Sequence, residues 1–347
     1  MAPLWNRVIR LRLLRLVIGF IFVVVLVSRQ IIAPLLFSYT PGLLFKEDLM
    51  NNTLGFERIL AVSKGPSWRS EGLLDAANLT GLDIHIPPQP DWSIEEVEAF
   101  RVKSAGSDRI SFGSTKCWLG HINVLSHIVS QNWSSVLILE DDVDWDIAIR
   151  RQLALVAPAI RAITHATRHG HWSYQPYGNT WDLLWLGHCG DYAPPNSIAL
   201  FDASLPLSPR YREVDGRYSV WGKPQIRLVH TTAMPLCAFA YALTGSAAKK
   251  IFLSAKDGVE RIITTDLKRW CSTGFLRCVT VNPELFHHHK KAGMATSEIA
   301  LASGWEYNVW TVDFTPNIRY SARCNSKSTE LVTCMDEFGD EKEKSTT

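Results

Sequence analysis

The stretch Val136-Leu137-Ile138-Leu139-Glu140-Asp141-Asp142-Val143-Asp144 decides how this chain is read. Four apolar residues in a row are too few for a helix and too uniform for a surface strand. They fit a parallel strand covered on both faces. The run stops abruptly in four carboxylates within five residues. Like charges this close repel and raise one another's pKa unless a cation offsets them. Hard oxygen ligands in this pattern suit Mn²⁺ or Mg²⁺, ions that keep positions open for water and phosphate oxygens. The plain alternative is an exposed acidic turn, a feature that rarely follows directly on a buried strand.

Elements alternate outward from this point. Upstream, 59–62 reads as a strand, 70–79 as a helix, 83–86 as a strand stopped by Pro87 and Pro88, and Ser93 as a helix N-cap. The segment 116–130 carries Trp118, Leu119, Ile122, Leu125 and Ile128 at helical spacing. Downstream, 147–164 reads as a helix through Pro158, 182–186 and 238–243 as strands, 245–253 and 262–270 as helices, and 278–281 as a last strand. Residues 191–224 read as a long loop or small hairpin. Alternation of this kind predicts an α/β sheet flanked by helices, with ligands bound beyond the carboxyl ends of its strands.

The chain has 347 residues, enough for one large α/β domain or two small ones, and a formal charge of only +2, so no electrostatic case for nucleic acid exists. The basic residues gather at the N-terminus. Arg7, Arg10, Arg12 and Arg15 precede the apolar run 16–27, and a second run follows at 31–37. A helix over 13–36 crosses a bilayer if Arg15 and Arg29 snorkel to the interfaces. A cleaved signal peptide competes with that reading, and the lack of a small-x-small site after Val27 favours an uncleaved anchor. The expected organisation is a cytosolic tail (1–12), a signal-anchor transmembrane helix (13–36), a stem (37–56), a catalytic domain (57–335) and a disordered tail (336–347). Basic flanks put the N-terminus in the cytosol and the body in the lumen, and a short span suits Golgi or ER membranes. Glycosylation patterns at Asn51, Asn78 and Asn132 agree with that side. Of the seven cysteines, Cys271/Cys278 and Cys324/Cys334 are spaced to close small loops. No Cys-x-x-Cys pair is present, which argues against a structural zinc site.

The run Gly113-Ser114-Thr115-Lys116-Cys117-Trp118-Leu119-Gly120-His121, then Trp133, then Val136 to Val143, resembles glycosyltransferase family 25, which includes lipooligosaccharide and collagen galactosyltransferases. Trp181-Asp182-Leu183-Leu184-Trp185-Leu186-Gly187 is similar to the family's Asp-x-x-x-Leu-Gly strand. Lys116 stands where the family has a second Gly, and Gly120 where it has a Ser. The resemblance spans roughly 57–290. It implies a GT-A-like (Rossmann-like) mixed sheet, a UDP-sugar donor, in most members UDP-galactose, and inversion at the anomeric carbon. By the same resemblance Asp142, with Asp141 or Asp144, binds the metal, with Glu140 beside it in a catalytic or orienting role. A histidine near the C-terminus completes the shell, His289 or His287 by position. A solvated His/Lys run, or a protonated run that holds the diphosphate, are the other readings of 287–291.

Asp266, in a family-like Thr-Asp pair, is the candidate base for the acceptor hydroxyl, or else a helix-start carboxylate. His121 faces the donor pocket or is a packed helix histidine. Lys64 and Arg69 follow the first strand, where donor nucleotides bind in this fold class. The expected partners are a nucleotide-sugar donor and a glycan or glycoprotein acceptor. A catalytically silent sugar-binding or scaffold subunit of a Golgi complex is the competing function. If the topology is right, sealed microsomes protect everything beyond about residue 40 from added protease; digestion of the body from the cytosolic side refutes it.

Overall fold

The computed structural model describes residues 49–104, 110–164, 175–206, 225–295, 297, 299 and 309–334. In chain order these form β1 (Arg58–Val62), α1 (Trp68–Thr80), β2 (Ile84–His85), α2 (Ile94–Lys103), α3 (Phe112–Gln131), β3 (Ser135–Glu140), β4 (Val143–Trp145) and α4 (Ile149–Ile163). There follow β5 (Leu183–Gly187), β6 (Ile198–Phe201), β7 (Ile226–Thr231), β8 (Ala240–Thr244), α5 (Gly245–Ala255), α6 (Ile263–Ser272), β9 (Cys278–Asn282), β10 (Phe286–His288) and the single turn α7 (Ala322–Asn325).

The strands make one mixed sheet in the order β2-β1-β3-β8-β5-β9-β7-β6. β1 runs parallel to β2 and β3, and β5 parallel to β9. β8 lies antiparallel between β3 and β5. The carboxyl ends of β1, β3, β5 and β9 therefore share one edge. Beyond it, β10 pairs antiparallel with β4 and touches β5 at Phe286.

Both faces of the sheet are covered, which is why β3 is apolar without alternation. Leu137 and Leu139 pack with Leu73 and Ala76 of α1 and Leu153, Val156 and Ile160 of α4. Val136 and Ile138 pack with Trp118, Leu125 and Ile128 of α3, Ile251 of α5 and Leu267 of α6. Period two then aims Glu140, the last residue of β3, toward the face that carries α3. Ser93 and Glu96 form a capping box, as the sequence suggests. Pro158 is accommodated on the exposed side of an unbroken α4.

Four strands were not read from the sequence, β6 among them, inside the segment expected as a long loop or small hairpin. β4 and β10 have only three residues each, and β7 hides its pattern behind a buried Arg227 and His230. The expected stem ends sooner than residue 56: Leu49, Leu54 and Phe56 are buried, and Phe56 stacks on Tyr177 at 4.7 Å. The expected anchor (13–36) and tail (336–347) lie outside the described residues, as does 207–224 of the expected loop. Among the described residues no helix is long and apolar enough to cross a membrane. Asn51, Asn78 and Asn132 are exposed. Disulfides join Cys271–Cys278 and Cys324–Cys334, and a third joins Cys189–Cys237.

Gly245 opens α5 directly against the α3–β3 connection, its N–H donating to Ser134 O at 2.8 Å. A Cβ there would stand 2.1 Å from Trp133 O. Gly245→Ala is expected to destabilise the domain by about 1–3 kcal/mol, as overpacking does, read as a lower urea midpoint with an unchanged slope.

Candidate metal centre

The turn after β3 lies at the carboxyl edge of the sheet, between the start of α1 and β10. Glu140 pairs in register with Val62, the last residue of β1. β10 returns beside β4 with His288 opposite Val143, and His289 N–H donates to Asp142 O at 2.8 Å. This pairing carries His288 to the acidic turn: its Nε2 is 3.5 Å from Glu140 Oε2 and 3.9 Å from Asp142 Oδ1. One ligand atom from each of Glu140, Asp142 and His288 falls within 4.8 Å of the others. Neighbouring ligands in an octahedral shell of about 2.1 Å bonds are roughly 3.0 Å apart, so the group needs only a modest closure to hold an ion.

Asp142 is the best-buried member, at 6% exposure. Burial pushes its carboxyl upward, and His288, Arg69, Lys290 and Arg323 outweigh that and hold it at about 2. Arg69, in the first turn of α1, pairs with Oδ2. Oδ1 is buried and has no hydrogen-bond partner among the described residues. A buried carboxylate oxygen in that state is costly, and a divalent cation at this point would satisfy it. The residues present therefore fit a Mn²⁺ or Mg²⁺ ion through Glu140, Asp142 and His288. Burial also raises the Glu140 carboxyl, but His121 and His288 prevail and keep it below the usual range.

Cationic groups crowd the same place. Burial lowers the Lys290 amine, while Asp142 and Glu140 pull it back up. Lys291 Nζ lies over the Trp68 ring at 5.5 Å. A cleft of about 190 Å³ is lined by Trp68, Gly72, His289, Lys291, Arg323 and Lys327, with Asp313 and Cys324 at its side.

Several candidates read from the sequence fall elsewhere. Asp144 is fully buried and faces away from the group. Its Oδ1 accepts from Trp145 N at 2.8 Å and Arg323 N at 3.1 Å. Its Oδ2 accepts from Thr315 Oγ1 at 2.5 Å and from Ser321 Oγ. His289 joins that network through Thr315 Oγ1 at 2.9 Å, and burial draws its imidazole down to about 4. The structure does not bring Asp144 and His289 to the Glu140–Asp142 group as expected: the pair braces the turn, and the histidine beside that group is His288 rather than His289 or His287. The reason is strand alternation, since consecutive residues of β10 point to opposite sides. Asp141 turns toward β1, where Oδ2 accepts from Ser63 Oγ at 2.7 Å.

Asp266 lies elsewhere as well. Its carboxylate accepts from Arg261 N at 3.1 Å and Arg269 Nη2 at 3.3 Å, the contacts of a helix-start residue on α6. Lys64 is exposed in the β1–α1 loop. His121 sits on α3 under Glu140, Nε2 to Oε1 3.7 Å.

Sequence reasoning missed Arg323, which reaches from α7 to donate to Val143 O at 2.8 Å and Asp141 O at 2.5 Å. It passes through the space left by Gly72, where a Cβ would stand 2.5 Å from Nη1. Nothing local marks Arg323 or His288, because both arrive by long-range pairing. No protein-family model matches the chain, and no curated protein is significantly similar to it.

A carboxyl held below its ordinary value of 3.8, at about 2, stabilises the fold above pH 4, and that contribution is lost as pH falls through 2. For Asp142 the contribution is on the order of 2 kcal/mol. Unfolding followed between pH 5 and pH 2 should therefore show a shallower acid limb for Asp142→Asn than for the wild type. Parallel limbs would show that Asp142 is not held low in the folded state.

Proposed function

We propose that this chain is a membrane-anchored glycosyltransferase of GT-A-like fold. In this reading it moves a hexose, galactose by resemblance, from a UDP-sugar to a glycan or glycoprotein acceptor, with inversion, on the luminal side of a Golgi or ER membrane. The observation that carries the reading is the Glu140–Asp142–His288 group at the carboxyl edge of the sheet, with a buried, unpartnered Asp142 oxygen and cationic side chains beside it.

Glu140, Asp142 and His288 would hold a divalent ion, Mn²⁺ or Mg²⁺, which when bound offsets charge on the departing diphosphate. Lys290 and Lys291 stand where diphosphate oxygens arrive, and Arg69 exchanges Asp142 for phosphate as the donor enters. The cleft lined by Trp68, Lys291 and Lys327 supplies an aromatic face and positive charge for the remainder of the donor. Arg323 and the Asp144–Thr315–His289 network keep the turn in place, Arg323 and His289 also lining that cleft.

The Arg69–Asp142 ion pair also favours a second reading, a silent scaffold in which a guanidinium fills the cation's place. Calorimetry of UDP with Mn²⁺ separates the two. The transferase reading expects saturable, Mn²⁺-dependent UDP binding. Asp142→Ala and His288→Ala should weaken it by more than the about 10–100-fold typical of outer-shell changes, while His289→Gln stays within about tenfold. Equal affinity in the wild type and Asp142→Ala would sink the metal role and leave the scaffold.

A further inference from the structure

Beneath the acidic turn lies a second group that the transferase reading does not use. Cys117 and His121 are four residues apart on α3, so both side chains leave the same helix face. That face meets the end of β3 because Gly120 lets the helix close on β1: a Cβ there would stand 2.9 Å from Val62 Cγ1. Cys117 Sγ, His121 Nε2 and a Glu140 oxygen lie within 4.8 Å of one another. Cys117 is the free cysteine among the described residues.

His121 is 1% exposed, and its Nε2 has no hydrogen-bond partner among the described residues. It is aimed at Glu140 Oε1, 3.7 Å away and beyond direct hydrogen-bond reach. The other ring nitrogen is not idle, with Nδ1 2.9 Å from Tyr241 Oη. A ring held at one nitrogen, with the second buried and open, has the form of a metal-ligating histidine and its outer-shell support.

We propose that Cys117, His121 and Glu140 form a second metal site, suited to a borderline divalent cation such as Zn²⁺. It is distinct from the oxygen-rich group that Asp142 and His288 make with the same Glu140. A thiolate, an imidazole and a carboxylate are the donors Zn²⁺ takes, whereas Mg²⁺ and Mn²⁺ prefer oxygen. Tetrahedral Zn²⁺ with bonds of about 2.0–2.3 Å separates its ligands by roughly 3.3–3.8 Å. The His121–Glu140 separation of 3.7 Å exceeds the spacing of a nitrogen–oxygen pair by only a few tenths of an ångström, and the thiol needs to close by about 1.3 Å at most.

On binding, the Cys117 S–H bond breaks, its proton leaves to solvent, and the sulfur's electron pair forms the Zn–S bond. His121 binds through the Nε2 lone pair, with its proton on Nδ1 donated to Tyr241 Oη. One Glu140 oxygen completes three protein ligands, and the fourth position takes water. The site rests on its own geometry and does not require the transferase reading.

Co²⁺ titration of the purified full chain in detergent tests the proposal. The expected result is a near-ultraviolet thiolate-to-Co²⁺ charge-transfer band that saturates near one equivalent, is abolished by Zn²⁺ and is unaffected by excess Mg²⁺. Cys117→Ser should remove the band, and His121→Ala should weaken Co²⁺ binding by at least about tenfold. Asp142→Ala and His288→Ala should keep it, so a failed second site is distinguishable from a failed donor site. No band in the wild type, a band that survives Cys117→Ser, or one lost in Asp142→Ala each overturns the separate site. Should Cys117→Ser not fold, X-ray absorption of the Zn²⁺-loaded wild type decides: sulfur at about 2.3 Å supports the site, and an all-oxygen/nitrogen shell refutes it.

Discussion

Where a strand covered on both faces ends in carboxylates, those that stay buried must be neutralised by their neighbours, because a buried unpaired charge is costly. β3 delivers Glu140, Asp141 and Asp142 to that position, and Asp144 follows two residues later with no exposure at all. Each carboxylate is met differently. Asp141 turns to a hydroxyl just past β1, Asp142 to a guanidinium on α1, Glu140 to imidazoles on α3 and β10, and Asp144 to hydroxyls and an amide from the 309–334 segment. Five separate parts of the chain converge on five residues.

This convergence divides the acidic cluster by function. Asp144 has both oxygens engaged and works as a brace, fixing β4 to the C-terminal segment that Cys324–Cys334 closes. Arg323 completes the brace by holding the backbone carbonyls of Asp141 and Val143, so the turn cannot relax without breaking buried bonds. A turn fixed in this way pre-organises Glu140 and Asp142, whose remaining oxygens face His288 and His121. Rigidity on one side of the turn is what leaves unsatisfied ligand atoms on the other.

Much of the scaffold was legible because local physics and tertiary structure agreed. The run 136–139, the helical spacing of Trp118, Leu125 and Ile128, and the Ser93 cap each mark an element that burial then uses. The parts that escaped are those in which residue type and position conflict: Arg227 and His230 buried in β7, and histidines forming β10. The stem was misread for the same reason, since Asn51 to Gly55 looks like a linker while Leu54 and Phe56 are core. At the site, the acidic turn and His121 could be found from sequence, but their division of labour could not.

From sequence alone came a buried strand ending in crowded carboxylates, hence an α/β sheet with its site at the carboxyl edge, because apolar periodicity and charge repulsion are local quantities. Only the tertiary structure put His288, and not its two neighbours, beside Glu140 and Asp142, gave Asp144, His289 and Asp266 hydrogen-bond partners of their own, and brought Arg69 and Arg323 to the turn. Those outcomes depend on strand register and on contacts between residues as many as 182 positions apart, and no local pattern encodes which side of a three-residue strand will face the charge.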